Sequence, residues 1–337
     1  MNESRIFHRF LLAISILCAS AMAQENTADY WYKTGINLTG NGSYEKAVEA
    51  YENAIKLSPK NATLWDAKAS SIGIVVLFTP NFNKHGYNEA LRAQDKAIEL
   101  DPRSSILRMH KGFLLANLAD VSEHKNQSLY EEALREFDKA LELDRQNKVA
   151  WIWKGSVLDT RLNRSEEALA AYNKAIETGS INAQNNVWLA NAWTAKGCAL
   201  AKLGRDNESF EAFDKAMDLD LQNATFVWYE MAEALNASGR HDEAVKAYDK
   251  VVELSSESAT ILSAHACNSK GDALLAWGKY DEAVKAYDKA IEQYPLDAMK
   301  PMGAETWYKK GIALQALGRT SEADAAFAKA KELGYER

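Results

Sequence analysis

Residues Gly271 to Pro295 read GDALLAWGKYDEAVKAYDKAIEQYP. The pattern predicts two short amphipathic helices joined by a turn. The first ends at Trp277-Gly278 and the second begins near Tyr280-Asp281. In the second, Ala283, Val284, Tyr287, Ala290 and Ile291 form one apolar stripe at helical spacing, and Asp, Glu and Lys fill the other side. Pro295 ends it.

Working outward, the second helix returns eight times. Its alanine recurs as Ala47, Ala90, Ala133, Ala168, Ala244, Ala283 and Ala323, with Ser209 in the fifth copy. Four residues on comes an aromatic, Tyr51, Phe137, Tyr172, Phe213, Tyr248, Tyr287 or Phe327, and only Gln94 departs. Three further on stands a small residue, Ala54, Ala97, Ala140, Ala175, Ala216, Val251, Ala290 or Ala330. Small residues let helices approach and the aromatic fills the space between them. Each copy follows a first helix with a bulky residue and a small one four later: Trp31/Gly35, Trp65/Ala69, Trp151/Gly155, Trp193/Gly197, Trp228/Ala232 and Trp307/Gly311. Arg108 and Cys267 replace the tryptophan before Gly112 and Gly271. Glycine inside a helix costs about 1 kcal/mol, so its recurrence predicts a crossing with no room for a side chain.

The W-x3-G, A-x3-F/Y-x2-A and terminal-proline pattern (Pro59, Pro102, Pro295) resembles the tetratricopeptide repeat over about residues 28 to 335. The resemblance implies an all-α solenoid of about eight helix-turn-helix repeats. In that family antiparallel helix pairs stack into a right-handed superhelix whose first helices line a concave groove. Extra residues near 72–86 and 118–129, and before later first helices, predict helix extensions and loops; the apolar Ile72 to Phe78 reads as an extended helix packed on its neighbour. In the last copy Asp324 and Lys331 replace the apolar residues that the other copies carry, such as Val284 and Ile291. That charge pattern predicts a solvent-facing cap and a monomeric chain.

The N-terminus reads differently. Arg5, His8 and Arg9 precede the apolar run Phe10 to Cys18 and then Ala19 to Ala23, which predicts a secretory signal, residues 1–23, cleaved after Ala23, with an uncleaved membrane anchor as the alternative. A secreted or cell-surface location follows as an expectation, with no membrane insertion after cleavage. The composition, 47% hydrophobic and 26% charged, is that of a folded chain. A net charge of −7 argues against nucleic acid as the main partner. Cys198 and Cys267 fall in non-adjacent repeats and are read as small hydrophobes rather than a disulfide.

Chemistry is sparse. None of His85, His110, His124, His241 and His265 has a second His or Cys at metal-ligand spacing. There is no phosphate loop and no nucleophile elbow, and acidic pairs such as Glu131-Glu132 sit where helix starts favour them. The expectation is a non-enzymatic chain with no cofactor and no metal. Eight asparagines open N-x-S/T: Asn37, Asn41, Asn61, Asn126, Asn163, Asn207, Asn223 and Asn236. They are candidate N-glycosylation sites, expected at or near turns and outside the second helices.

The family resemblance also implies which residues would line the groove: Tyr32, Met109, Phe113, Ile152, Ser156, Tyr229, Glu233, Asn268, Asp272, Tyr308 and Gln315. The Lys, Asn and Arg set by which chaperone-binding members clamp a C-terminal carboxylate is missing, with Tyr32 and Ile36 at matching places. AYDKAIE-like second helices behind a signal peptide resemble exported repeat proteins of archaea or bacteria. The expected function is a scaffold that binds a protein or peptide of unknown identity in the groove. The alternative is a glycosylated structural component of the cell envelope, acting through its outer face.

Overall fold

The structure, a computed structural model, describes residues 27–78, 83–122, 126–179, 186–220, 223–255, 260–294 and 300–335. The expected signal segment, His124, Pro295 and parts of the expected insertions lie outside the described residues. Among the described residues, sixteen α-helices run in chain order: α1 (Ala28–Gly40), α2 (Tyr44–Leu57), α3 (Ala62–Phe78), α4 (Asn83–Leu100), α5 (Ser105–Asp120), α6 (Gln127–Leu143), α7 (Lys148–Ser156), α8 (Ser165–Thr178), α9 (Asn186–Lys202), α10 (Asp206–Leu219), α11 (Ala224–Ala237), α12 (His241–Leu254), α13 (Thr260–Ala276), α14 (Tyr280–Gln293), α15 (Lys300–Ala316) and α16 (Thr320–Glu332). A π-helical turn, Val157–Arg161, extends α7. Odd-numbered helices are first helices and even-numbered ones second helices, and the described residues contain no strand.

The chain divides into two compact units, Met1–Leu162 and Asn163–Arg337. In the first, α1 to α7 pack each on the next; in the second, α8 to α16 do the same. Both are stacks of helix hairpins, the all-α repeat architecture expected.

Local chemistry sets the helix ends. The Thr27, Ser104 and Asn147 side chains accept from the amides of Tyr30, Leu107 and Ala150. At the other end, Gly278 has φ 80° and closes α13. The Lys279 amide donates to Leu274 O and the Gly278 amide to Leu275 O. This double closure needs the left-handed region that glycine enters freely. Arg205, Arg240 and Arg319 each stand just before a second helix and fold onto the glutamate three residues on.

The recurrent glycine is explained by the recurrent aromatic of the same hairpin. A Cβ on Gly35, Gly112, Gly197 or Gly311 would fall 2.5 to 2.9 Å from the ring of Tyr51, Phe137, Phe213 or Phe327. Gly271 stands equally close under Tyr287. Tyr287, Phe137 and Phe213 are all but completely buried, and burying such a ring contributes about 1.5–3 kcal/mol. That gain offsets the helix propensity lost at the glycine.

A ladder of ion pairs ties second helices to the first helices that follow them. Its rungs are Glu52–Lys68 (2.8 Å), Asp95–Lys111 (2.7 Å), Asp138–Lys154 (2.5 Å), Asp249–Lys270 (2.5 Å) and Asp288–Lys310 (2.5 Å). In each rung the acid follows the aromatic position, and the lysine stands three residues after the bulky one. In the last hairpin the acid's place is Ala328. Asp324 and Lys331 are exposed there, where Val284 of the seventh hairpin is buried.

The extended apolar run behaves as expected. Helix α3 continues unbroken to Phe78. Ile72 and Val76 are buried with Tyr87, Leu114 and Leu118. Likewise α5 runs to Asp120, and Arg161 from the π-turn clasps the Asp120 carboxylate through two hydrogen bonds of 2.7 and 2.9 Å. Cys198 and Cys267 are free thiols.

Candidate binding faces on the first helices

In the first unit, Tyr32 is half-buried, 6.0 Å from the Tyr51 ring. Phe113 meets Trp153 edge-on at 4.7 Å, with Ile152 and Ser156 half-buried nearby in sequence. Met109 departs from its expected role: it is 9% exposed and packs inside, as Thr194 does in the same register after Trp193. The polar centre of this face is Asp66, on α3. Its Oδ1 takes a hydrogen bond of 2.9 Å from Gln94 Nε2 and lies 2.8 Å from His110 Nδ1. Gln94 is fully buried, and its amide also donates to Leu107 O. The one copy without an aromatic thus uses that slot to hold a carboxylate on the first-helix face.

In the second unit, α11, α13 and α15 carry one connected set. The Tyr229 hydroxyl lies 3.4 Å from Ser269 Oγ, joining α11 to α13. The Thr306 hydroxyl donates to Asn268 Oδ1 (3.0 Å) and Lys309 Nζ to Asp272 Oδ2 (2.8 Å), joining α13 to α15. Glu233 and Asp272 each accept a 2.8 Å bond from a buried second-helix hydroxyl, Tyr248 and Tyr287 respectively. Both carboxylates are therefore half committed to the hairpin interior. Tyr308 stacks on Tyr335 at 4.5 Å, and Gln315 is exposed.

Electrostatics follow from this half-burial. Desolvation pushes the Tyr229 hydroxyl up to about 12, with the Glu233 charge adding to it. Burial, and then the charges of Glu233 and Asp272, drive Tyr248 and Tyr287 far above the usual phenol range. Burial raises the Glu230 carboxyl, whose Oε2 lies 3.7 Å from the Cys198 thiol. For Lys309 burial pulls downward, but the bonds to Asp272 and Glu305 outweigh it and leave the ammonium raised. Among the described residues no group of three or more His, Cys, Asp or Glu is arranged to hold a metal. No described helix is long and apolar enough to cross a membrane.

Asp66, His110, Trp153, Ser269, Thr306 and Lys309 belong to these faces and were missed by the sequence reading. Four of them, His110, Trp153, Ser269 and Lys309, stand two residues after the bulky position. An apolar or polar stripe on a helix is about 100° wide, so it takes in this position as well as the one before it.

The sequon asparagines are exposed, except Asn236, which is half-buried against His241. One expectation about them needs correction. Asn207 lies inside a second helix, at the second residue of α10, and its sequon hydroxyl, Ser209, is buried and donates to Gly197 O at 2.8 Å. Ser209 stands in place of the motif alanine, and its hydroxyl closes onto the glycine carbonyl.

Comparison with known proteins agrees with the repeat geometry. Tetratricopeptide repeat profiles match residues 224–295, 118–183, 268–334 and 190–223, and a TPR repeat profile matches 35–67. Residues 68–117, which carry Gln94 and Arg108, lie outside these spans. No curated protein matches the chain. Among solved structures, a thermophilic TPR protein of Thermus thermophilus is 18% identical with a TM-score of 0.50, over 62% of this chain and 98% of that one. The APC/C hetero-tetramer Cut9-Hcn1 is 13% identical with a TM-score of 0.53, over 86% of this chain and 50% of that one. At this identity the likeness speaks for the fold. With its glycine-seated aromatics and inter-hairpin packing, the chain belongs to the tetratricopeptide repeat family.

Proposed function

We propose that the chain is a non-enzymatic scaffold, exported to the cell surface, that binds a protein or peptide on the first-helix face of its hairpins. Its fold is of a type typical of protein–protein interaction. The observation that supports the choice of face is the connected set on α11, α13 and α15. Aromatic, amide, carboxylate and ammonium groups there are half-exposed and held in place by one another. Prefixed side chains of this kind lose little freedom on binding. Export rests on the N-terminal sequence, Arg5 to Ala23.

A Tyr229→Ala, Glu305→Lys, Gln315→Ala variant, compared with the native chain in a pull-down from the native envelope, tests the reading. These positions spare Glu233 and Asp272, which hold Tyr248 and Tyr287. Loss of a specific partner with the helical circular dichroism of the native chain retained is expected, and retention of every partner would exclude this face. Seven exposed sequon asparagines favour the second reading, a glycosylated envelope component acting through its outer face. Intact mass of native protein before and after glycan removal separates the two contributions.

A further inference from the structure

In six hairpins the bulky first-helix residue is tryptophan. At Trp65 and Trp307 the indole packs against residues of the second helices both before and after it. Trp65 packs on Ala54 and Ile55 of α2 and on Ala97 of α4. Trp307 packs on the cluster that joins Val284 of α14 to Ala326 of α16. Lysines cover the ring: Lys196 and Lys215 lie 4.8 and 4.5 Å from the Trp193 centroid, and Lys310 lies 4.7 Å from Trp307.

The seventh hairpin has Cys267 at this place, a far shorter side chain that is 2% exposed. Beside it opens a cleft of about 370 Å³, walled by α12, α13 and α14. Its apolar wall includes Val252, Leu274 and Ala286, with Trp277 at the margin. That volume falls in the range of roughly 300–1,000 Å³ in which ligand pockets occur. The cations, however, are kept. Lys270 and Lys289 line the cleft and occupy the register of Lys196 and Lys215 around Trp193. Lys279 and Lys285 add two more ammonium groups. Against them stand Asp249, already paired with Lys270, and Glu282. The seventh hairpin thus keeps the lysine sandwich and lacks the ring, and its cleft is locally positive in a chain of net charge −7.

We propose that this cleft takes an aromatic side chain of an acidic partner peptide. The ring enters over Cys267, between Lys270 and Lys289, and carboxylates beside it pair with Lys279 and Lys285. Cation–π attraction and charge pairing then act together, as the chain itself uses them at Trp193. The cleft opens between second helices and is separate from the first-helix face.

The test titrates the isotope-labelled full chain with the acetylated, amidated tripeptide Asp-Trp-Glu and follows the Cys267, Leu274 and Ala286 amides. Saturable shifts are expected, with Asp-Ala-Glu weaker by about tenfold or more. Cys267→Trp, which restores the array's own residue, should abolish binding while melting no lower than the native chain. Cys267→Leu, a smaller filling, should weaken it, and Lys285→Glu with Lys289→Glu should weaken it by about tenfold. The proposal is overturned by an absence of saturable shifts up to about 1 mM peptide, by undiminished binding to both Cys267 variants, or by equal shifts with Asp-Ala-Glu or inorganic phosphate, which would mark a simple anion site.

Discussion

Arg108 Nη1 donates to Glu136 Oε2 across 3.1 Å inside the third hairpin. Seven other hairpins place alanine where Glu136 stands, and six place tryptophan where Arg108 stands. An apolar pair has been exchanged for an ion pair in the same slot. Glu136 is 4% exposed, and Lys139 and Lys111 complete its surroundings at 2.9 and 4.0 Å.

Removing one partner leaves the other charge buried. With Lys139 still bonded to Glu136, Arg108→Ala should destabilise the chain by about 1.5–3 kcal/mol in denaturant unfolding. The double change Arg108→Trp with Glu136→Ala installs the array's usual pair and should recover most of that loss. A double variant as unstable as Arg108→Ala would mean that the slot is not interchangeable.

The same pair sets an acid dependence. Burial alone would raise the Glu136 carboxyl, but hydrogen bonds from Lys139 and Arg108 and the Lys111 charge leave it below its ordinary 4.5. A carboxyl lowered by folding contributes stability above its unfolded pKa and loses it as pH falls through the folded pKa. Unfolding midpoints should therefore drop on acidification below about pH 4.5. The drop should be shallower in Glu136→Gln, and equal slopes for the two chains would contradict this.

Two glycine changes should act in opposite directions. Gly311→Ala drives a methyl into the Phe327 ring and should cost about 1–3 kcal/mol, even after the gain in helix propensity. Gly303→Ala, in the same helix with open space around it, should stabilise by about 0.5–1 kcal/mol. Thermal melts of the two variants check the sign, and a stabilising Gly311→Ala would refute the seated-ring account.

The ion-pair ladder lacks its rung between α8 and α9. Lys196 holds the lysine place, but the matching acid place in the preceding hairpin is Asn173. Burial, and then the nearby Lys215, depress the Lys196 ammonium. Asn173→Asp should supply the rung, raise the Lys196 pKa and add about 0.2–1 kcal/mol at low salt, fading as salt rises. A gain insensitive to salt would point to another cause.

The hairpins and their boundaries were legible in the sequence because the repeated aromatic, glycine and alanine positions report packing against the nearest neighbour in the chain. The face residues were less so. Tyr229 and Asp272 follow from register, but Lys309 and Ser269 depend on which side chains of successive first helices reach one another, and periodicity within a helix carries no such information. Met109 and Asn207 depart from the expectation: Met109 is buried, and Asn207 falls in the first turn of α10, because second helices already begin three residues before the motif's small residue. The departures from pattern at Gln94, Arg108 and Cys267 were visible as letters. Their consequences, a held carboxylate, a buried ion pair and an open cleft, came only with coordinates.

The proposed first-helix binding is tested most directly by placing a photo-cross-linking residue at Tyr308 or Gln315 on α15, and separately at the exposed Glu211 on α10, in the native host. The account predicts a specific partner adduct from the first-helix positions and none from Glu211. Adducts of equal yield from both faces, or adducts from Glu211 alone, would contradict it.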